Sequence, residues 1–196
     1  MSLISKNNIT GIILAGGKSS RMGEDKGMMM IDGEASAKRI ARKLEVFCGK
    51  VIIASSNEQH KLLQYELVED MYPMQGPLAG LQAALSYSST QANLVLSCDV
   101  PMIDDDVLQS LIDAHDGSSL ITWVSAEGKE MPLVGIYDKS CADYFEECLK
   151  QDERRVRVAC GQLSKKVIHL EGSLALSVHN FNTPEDLKIV ELCKLK

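Results

Sequence analysis

The sequence predicts an α/β fold in which a mostly parallel sheet is covered by helices on both faces. Short apolar runs typical of buried strands alternate with helical segments of ten or more residues, as in βαβ units. No internal repeat, low-complexity tract or linker interrupts this alternation, so we expect a single domain over residues 1–196. The strands predicted in the first half are 9–14, 51–54, 67–68 and 93–97, with a short apolar run at 28–31.

Each helix of the first half has a start signal or an apolar face. Residues 34–47 place apolar side chains on one helical side. Asn57 is a candidate N-cap for a helix to about residue 65, and Pro77 suits the first turn of a helix ending near residue 87. Asp104 is a candidate N-cap for a helix over 105–115.

The second half predicts a hairpin followed by shorter elements. Segments 120–125 and 131–137 flank Ala126-Glu127-Gly128-Lys129, a turn sequence typical of a β-hairpin. The remaining predictions are helices at 139–150 and 154–160, short strands at 166–170 and 177–180, and a last helix from Pro184 to about residue 193.

Composition excludes several classes of protein. Of the 196 residues 45% are hydrophobic and 24% charged, as in an ordinary folded domain. The net charge of −6 argues against nucleic-acid binding, which needs a basic face. No apolar run approaches the roughly 18 residues of a membrane span, and no secretory signal pattern is present. We therefore expect a cytoplasmic protein whose six cysteines, none in a C-x-x-C motif, are reduced.

The most informative segment is the loop that follows the first strand. It reads Ala15-Gly16-Gly17-Lys18-Ser19-Ser20-Arg21-Met22-Gly23-Glu24-Asp25-Lys26. Small residues let the backbone N–H groups approach phosphate, and three basic side chains accompany them. A Walker A loop is excluded because Ile12 stands where its first glycine is required, and G-x-G-x-x-G is absent. The loop predicts a triphosphate site; a glycine-rich turn with solvated charges is the structural alternative.

Asp99 is the candidate metal ligand. Ligands of parallel α/β sheets bind at the carboxyl ends of strands, which brings together the loop after Leu14, Ser55-Ser56 and Cys98-Asp99. A carboxylate at this edge suits Mg²⁺, which binds oxygen ligands and keeps phosphates and waters in its shell. The alternative is that Asp99 only caps a turn.

Further polar segments allow two interpretations each. Residues 76–80 form either a wall of a nucleotide pocket or a plain connection. The arginines at 154, 155 and 157 either bind an anionic second substrate or form a solvated surface. Asn180 and Asn182, two residues apart on a predicted strand end, would face the same way. No nucleophile–base pair is evident, and phosphoryl or nucleotidyl transfer needs none.

Residues 14–27, which read Leu-Ala-Gly-Gly-Lys-Ser-Ser-Arg-Met-Gly-Glu-Asp-Lys-Gly, closely resemble the signature of molybdenum cofactor guanylyltransferases. This family (molybdopterin-guanine dinucleotide biosynthesis protein A) belongs to the nucleotidyltransferase superfamily. The likeness continues, in the family's order, at residues 76–80, 98–101, 132–133, 153–156 and 180–185. The resemblance implies a single Rossmann-like domain of the nucleotide-diphospho-sugar transferase type, with a nucleotide-binding half at about 1–100 and an acceptor-binding half at about 101–196.

The resemblance also implies the reaction and the roles of individual residues. The phosphate of molybdenum-loaded molybdopterin would attack the α-phosphorus of GTP, and pyrophosphate would leave. By this resemblance, Leu14, Ala15, Gly16, Gly17, Lys26, Asp70 and Asp99 bind the nucleotide. Arg21, Lys26 and Asp99 are catalytic, with Asp99 holding Mg²⁺. The acceptor side comprises Pro132, Arg154, Arg155, Asn180 and Asn182. Other cofactor-biosynthesis proteins and recipient molybdoenzymes are the implied partners, with no nucleic acid and no membrane.

Two departures from the family pattern bear on base selection. Some members have arginine at the position of Ser20, and some have asparagine just after the second long strand, where this chain reads Ala54-Ser55-Ser56-Asn57. The Ser55 or Ser56 hydroxyl is a candidate substitute for that asparagine. The alternatives are a sister nucleotidyltransferase that uses CTP or another phosphorylated acceptor, and a non-catalytic nucleotide- or cofactor-binding protein.

Overall fold

A seven-stranded sheet forms the centre of the molecule. The computed structural model describes residues 4–16, 25–69, 72, 75–181 and 186. The strands are β1 (Ile9–Leu14), β2 (Met30–Ile31), β3 (Glu34–Ala35), β4 (Lys50–Ala54), β5 (Glu66–Val68), β6 (Ala92–Ser97), β7 (Ile121–Ala126), β8 (Lys129–Asp138) and β9 (Lys165–Leu170). Their order in the main sheet is β5-β4-β1-β6-β8-β7-β9, while β2 and β3 form a separate hairpin.

Helices cover both faces of this sheet, as predicted. They are α1 (Ser36–Phe47), α2 (Pro77–Tyr87), α3 (Asp105–Ala114), α4 (Cys141–Lys150), α5 (Val156–Ala159) and α6 (Gly172–Ser177). Short 3₁₀ turns lie at Lys6–Asn8, Lys26–Met28, Glu58–Leu63 and Cys160–Gln162. Ile13 of β1 packs in one core cluster with α1, α3 and α6, and Ile12 packs in the other with α2, α4 and α5. Successive side chains of β1 therefore point to opposite faces of the sheet, and both faces are buried.

The sheet is mostly parallel, which confirms the predicted fold class. Strands β5, β4, β1 and β6 run parallel; β8 is antiparallel to both β6 and β7, and β9 is parallel to β7. Leu14 is in register with Ala54 on one side and Ser97 on the other. The hydrogen bonds continue one residue further, from Ala15 N to Ala54 O (3.1 Å) and from Cys98 N to Leu14 O (3.0 Å).

A bulge in β8 shapes the sheet next to this edge. Gly135 pairs with Trp123, but the next residue of β7, Val124, pairs with Met131. Residues 132–134 are thus left out of the ladder with β7, and Pro132 lies where no ladder N–H is needed. The Tyr137 hydroxyl fixes the bulge by donating to the Pro132 carbonyl oxygen at 2.5 Å.

Two sequence-based boundaries are corrected by the structure. The strand predicted at 177–180 is wrong, because Ser177 ends helix α6; Ala175 and Val178 are buried three residues apart, which is helical spacing. The helix predicted over 34–47 begins at Ser36 instead, since Glu34–Ala35 pairs with Met30–Ile31. The predicted helix from Pro184 to residue 193 lies outside the described residues.

Several local predictions are confirmed. Asp104 caps α3 by accepting from Asp106 N, and Asn57 caps a 3₁₀ helix by accepting from Gln59 N. Pro77 occupies the first turn of α2, and the predicted hairpin is formed by β7 and β8. The cysteines in the described ranges, Cys48, Cys98, Cys141, Cys148 and Cys160, are free thiols. None of the helices described has the length and apolar character that crossing a bilayer requires.

We predict that Gly135→Ala lowers the free energy of unfolding by about 3 kcal/mol, as measured by urea denaturation. A Cβ at this position would lie 2.6 Å from Thr122 O and 2.8 Å from Trp123 Cβ, so backbone would have to move. Gly161→Ala is the control, since a Cβ there meets nothing within 4 Å, and its effect is expected to stay within about 0.5 kcal/mol. Equal effects of the two changes would contradict the tight fit at the bulge.

Candidate active site

A partly buried carboxylate, Asp99, lies at the carboxyl end of β6. Only 17% of the Asp99 side chain is exposed, and Asp99 Oδ1 has no hydrogen-bond partner within the described part of the chain. Lys26 Nζ lies 3.8 Å from the other oxygen, Oδ2. An ionised carboxylate oxygen buried without a partner is costly, which makes Oδ1 an available ligand for a cation. The predicted juxtaposition of Lys26 and Asp99 is therefore present.

Asp99 offers one carboxylate ligand to a metal ion. The described residues contain no group of three or more His, Cys, Asp or Glu side chains able to hold a metal ion. A single hard oxygen ligand does not form a metal cage by itself, but it fits Mg²⁺ that takes most of its shell from water and phosphate. Asp99 therefore suits a metal that arrives with a polyphosphate.

Main-chain contacts fix Asp99 from two directions. The Ser36 hydroxyl, at the start of α1, donates to the Cys98 carbonyl oxygen at 2.7 Å. Phe181 N donates to the Asp99 carbonyl oxygen at 2.7 Å, which ties the segment after α6 to the end of β6. Burial raises the pKa of the Cys98 thiol to about 12, so this neighbour of Asp99 is a protonated packing residue.

Lys26 begins a 3₁₀ turn that is capped by Asp25. The Asp25 carboxylate accepts from Gly27 N at 2.7 Å and from Met28 N at 3.3 Å. It also accepts from Asn57 Nδ2 at 2.5 Å, and His60 Nε2 lies 3.0 Å from Asp25 Oδ1. Burial raises the pKa of Asp25, but the hydrogen bonds from His60 and Asn57 outweigh burial and hold it below its ordinary value.

The residues after β4 face this cap. The Ser55 hydroxyl is buried, lies 2.7 Å from His60 Nδ1 and accepts from Asn57 N at 3.0 Å. Ser55 and Asn57 thus support the loop that carries Lys26. The Ser55 hydroxyl is consequently not available as the substitute for the family's asparagine.

The start of α2 borders the site. Gly76 has φ +73°, which favours glycine, and Pro77 lines the cavity described below. A Cβ on Gly80 would contact Ala54 Cβ at 3.7 Å and Leu14 Cδ2 at 3.8 Å. Residues 76–80 are therefore packed against the ends of β1 and β4, as a pocket wall would be.

A cavity of about 760 Å³ adjoins Asp99. It is formed by the ends of β6, β7 and β8, the start of α5 and the segment after α6. Four predicted site residues meet at its surface, namely Asp99, Pro132, Arg155 and Asn180. The β8 bulge supplies Pro132, Leu133 and Val134 to its wall.

Charged side chains of both signs line this cavity: Lys129, Arg155 and Arg157 are basic, and Asp99, Glu127 and Glu130 are acidic. The Arg155 guanidinium forms two hydrogen bonds with Glu153, at 2.9 and 2.8 Å, and these lower the pKa of Glu153 to about 2. Arg157 donates to the Glu130 carbonyl oxygen at 2.6 Å. Arg154 is not a lining residue of the cavity; its guanidinium binds Asp152 on the surface.

Some predicted residues cannot be placed and others were missed. Gly17, Arg21, Asp70 and Asn182 lie outside the described residues. Of the nucleotide-side predictions, Leu14 and Ala15 are buried at the end of β1 and Gly16 is exposed. Sequence reasoning missed Lys129 and His179 as lining residues, and it named Arg157 only as part of the run of arginines. The run of arginines signalled Arg157, but no local pattern indicates that a hairpin turn carries Lys129 to the same cavity.

Comparison with known proteins identifies the family. Residues 11–166 match the model of the MobA-like NTP transferase domain. The chain is 31% identical, over 91% of its length and 94% of the relative's, to the probable molybdenum cofactor guanylyltransferase of Flavobacterium johnsoniae. It is 33% identical to the molybdenum cofactor guanylyltransferase of Serratia proteamaculans, over 91% of each chain.

A solved structure supports the fold independently. Molybdopterin-guanine dinucleotide biosynthesis protein A from Archaeoglobus fulgidus superposes with a TM-score of 0.79 at 24% identity, covering 95% of this chain and 100% of that one. The resemblance drawn from residues 14–27 is thus confirmed over nearly the whole length. The chain belongs to the family of MobA-like NTP transferases, nucleotidyltransferases of molybdenum cofactor biosynthesis.

Proposed function

We propose that the protein transfers GMP from GTP to the phosphate of molybdenum-loaded molybdopterin, releasing pyrophosphate and forming the guanine dinucleotide cofactor. The observation that carries this proposal is Asp99 Oδ1, which lies beside Lys26 and has no hydrogen-bond partner among the described residues, at the strand edge where α/β sheets bind nucleotides. The names of the relatives supply the base and the acceptor. A cytoplasmic location and delivery of the product to molybdoenzymes belong to the same proposal.

The nucleotide-binding half spans about residues 1–100. Leu14, Ala15 and Gly16 are proposed to lie near the base and ribose, and Lys26 to bind the phosphates. Gly17 and Asp70 are proposed as further nucleotide contacts. Mg²⁺ on Asp99 would neutralise phosphate charge and favour departure of pyrophosphate. Lys26 and Arg21 would stabilise the charge that grows on the transferring phosphoryl group, so positioning and electrostatics suffice without a covalent nucleophile.

The acceptor-binding half, at about residues 101–196, contributes the 760 Å³ cavity. Arg155, Arg157 and Lys129 offer cations to an anionic acceptor, while Pro132 and the apolar residues of the bulge offer a flat wall. Asn180 lies at the rim, and Arg154 and Asn182 remain proposed acceptor contacts. Because Asp99 borders the cavity, an acceptor phosphate bound there would approach the α-phosphorus from this side.

The experiment that tests the function is pyrophosphate release from ATP, CTP, GTP and UTP in parallel, with purified protein, Mg²⁺ and molybdopterin cofactor. We expect turnover with GTP and less than a tenth of that rate with the other three. Turnover with CTP alone would move the protein to the sister cytidylyl activity. Tight nucleotide binding without pyrophosphate release would indicate a binding protein, and either result would contradict guanylyl transfer.

We predict that Asp99→Asn lowers kcat about 10²- to 10³-fold, the scale of losing one electrostatic contact to a transition state. The amide keeps the shape of the side chain but removes the charge that would hold the cation. Asp105→Asn is the matched control, because it removes one carboxylate that pairs with Lys43 on the surface. Activity of Asp99→Asn within threefold of wild type would rule out the metal role, and thermal unfolding should show both variants folded.

A further inference from the structure

A buried chain of polar side chains lies behind Lys26. It runs from the Ser55 hydroxyl through the His60 ring to the Asp25 carboxylate, with contacts of 2.7 and 3.0 Å. His60 is fully buried within the 3₁₀ helix Glu58–Leu63. A histidine with both ring nitrogens engaged at zero exposure is held in a single orientation.

The hydrogen bonds fix the direction of the chain. The Asp25 carboxylate can only accept, so His60 Nε2–H is the donor to Asp25 Oδ1. The other nitrogen of a neutral imidazole is an acceptor, which directs the Ser55 hydroxyl proton to His60 Nδ1, while Ser55 Oγ accepts from Asn57 N at 3.0 Å. Asp25 Oδ1 also accepts from Gly27 N at 2.7 Å, while Oδ2 accepts from Asn57 Nδ2. Each Asp25 oxygen thus has a side-chain donor that prevents the carboxylate from rotating.

We propose that His60 is a positioning residue for Lys26. By holding Asp25 as the cap of Lys26–Met28, it fixes the start of the turn from which the lysine extends towards Asp99 and a bound triphosphate. The inference rests on the proposed role of Lys26 in phosphate binding. His60 itself contacts neither Lys26 Nζ nor Asp99 by any hydrogen bond described, so its action passes through Asp25.

Steric fit provides a second line of support. A Cβ on Gly27 would lie 2.8 Å from His60 Nε2 and 3.1 Å from Asp25 Oδ1. Glycine at position 27 therefore lets the His60 ring press against the turn next to Lys26. The Asp-Lys-Gly sequence of the loop has a structural reason here: one residue caps, one extends to the site, and one makes room for the imidazole.

The test compares His60→Leu with His60→Gln. Leucine fills the space without a donor, whereas the glutamine amide can place an N–H near Asp25. We expect His60→Leu to weaken GTP affinity, measured by titration calorimetry with Mg²⁺, and to lower kcat, each at least tenfold. His60→Gln should retain both within threefold, and the KM for the molybdopterin acceptor should stay within threefold in both variants.

A matched control separates positioning from loss of stability. His115→Leu removes another buried histidine, hydrogen-bonded to Thr122 at the far end of β7, and should destabilise without weakening GTP binding. All variants are compared at temperatures where circular dichroism shows them folded. GTP affinity of His60→Leu equal to that of His115→Leu would overturn the positioning role, as would an equal loss in His60→Gln.

A double-mutant cycle tests the steric contact. Gly27→Ala should weaken GTP binding at least fivefold in the wild-type protein but less than twofold in the His60→Ala background, where the ring no longer meets the added Cβ. If Gly27→Ala weakened GTP binding equally in both backgrounds, the steric contact between residue 27 and the His60 ring would be contradicted. These tests measure GTP affinity rather than turnover. A protein that binds GTP but releases no pyrophosphate would refute the proposed reaction, and the role of His60 could still be tested. A wild-type protein that binds no nucleoside triphosphate would overturn both the proposed reaction and the role of His60.

Discussion

The site depends on the parallel alignment of β4, β1 and β6. Leu14 is in register with both Ala54 and Ser97, and the ladder continues for one residue beyond each strand end. The segments that follow β1, β4 and β6 therefore leave the sheet at the same edge. The residues of the candidate site lie on or next to these segments. Because β1 is buried on both faces, its position cannot shift without disturbing two cores.

Charge balance at this edge is incomplete within the described residues. Asp99 has one oxygen near Lys26 and a second, buried oxygen that no described residue satisfies. Ser36 and Phe181 hold the main chain at this position, through the carbonyl oxygens of Cys98 and Asp99. A buried carboxylate oxygen without a partner among the described residues costs free energy unless a ligand or an ion satisfies it. The neighbouring cavity is lined by Arg155 and Arg157 together with Glu127 and Glu130.

Local signals predicted most of the fold. Strand β1, the caps at Asn57 and Asp104, and the turn between β7 and β8 each have a signature within a few residues. The mostly parallel sheet followed from the alternation of strands and helices. Helix α6 was missed because its six residues mix apolar and hydroxyl side chains, and burial of Ala175 and Val178 against the sheet decides its form.

The sequence predicted those site residues that lie in the loop after β1 or at the carboxyl ends of strands. It did not predict features that depend on contacts between distant segments. The Lys26–Asp99 proximity follows from strand order, but the β8 bulge depends on non-local pairing with β7. His60 could not be recognised from sequence, since a lone histidine in a polar segment carries no signal until Asp25 and Ser55 are brought to it. Arg154 and Arg155 looked equivalent, yet helix α5 begins just after them and only Arg155 lines the cavity.

The most direct measurement is a crystal structure with a non-hydrolysable GTP analogue and Mn²⁺, with the metal located by anomalous scattering. We predict Mn²⁺ bound to Asp99 Oδ1, the triphosphate beside Lys26 at the ends of β1 and β6, and the cavity at Pro132 and Arg155 left for the acceptor. A triphosphate bound inside that cavity, or a metal bound without Asp99, would contradict the assignment of the two halves of the site.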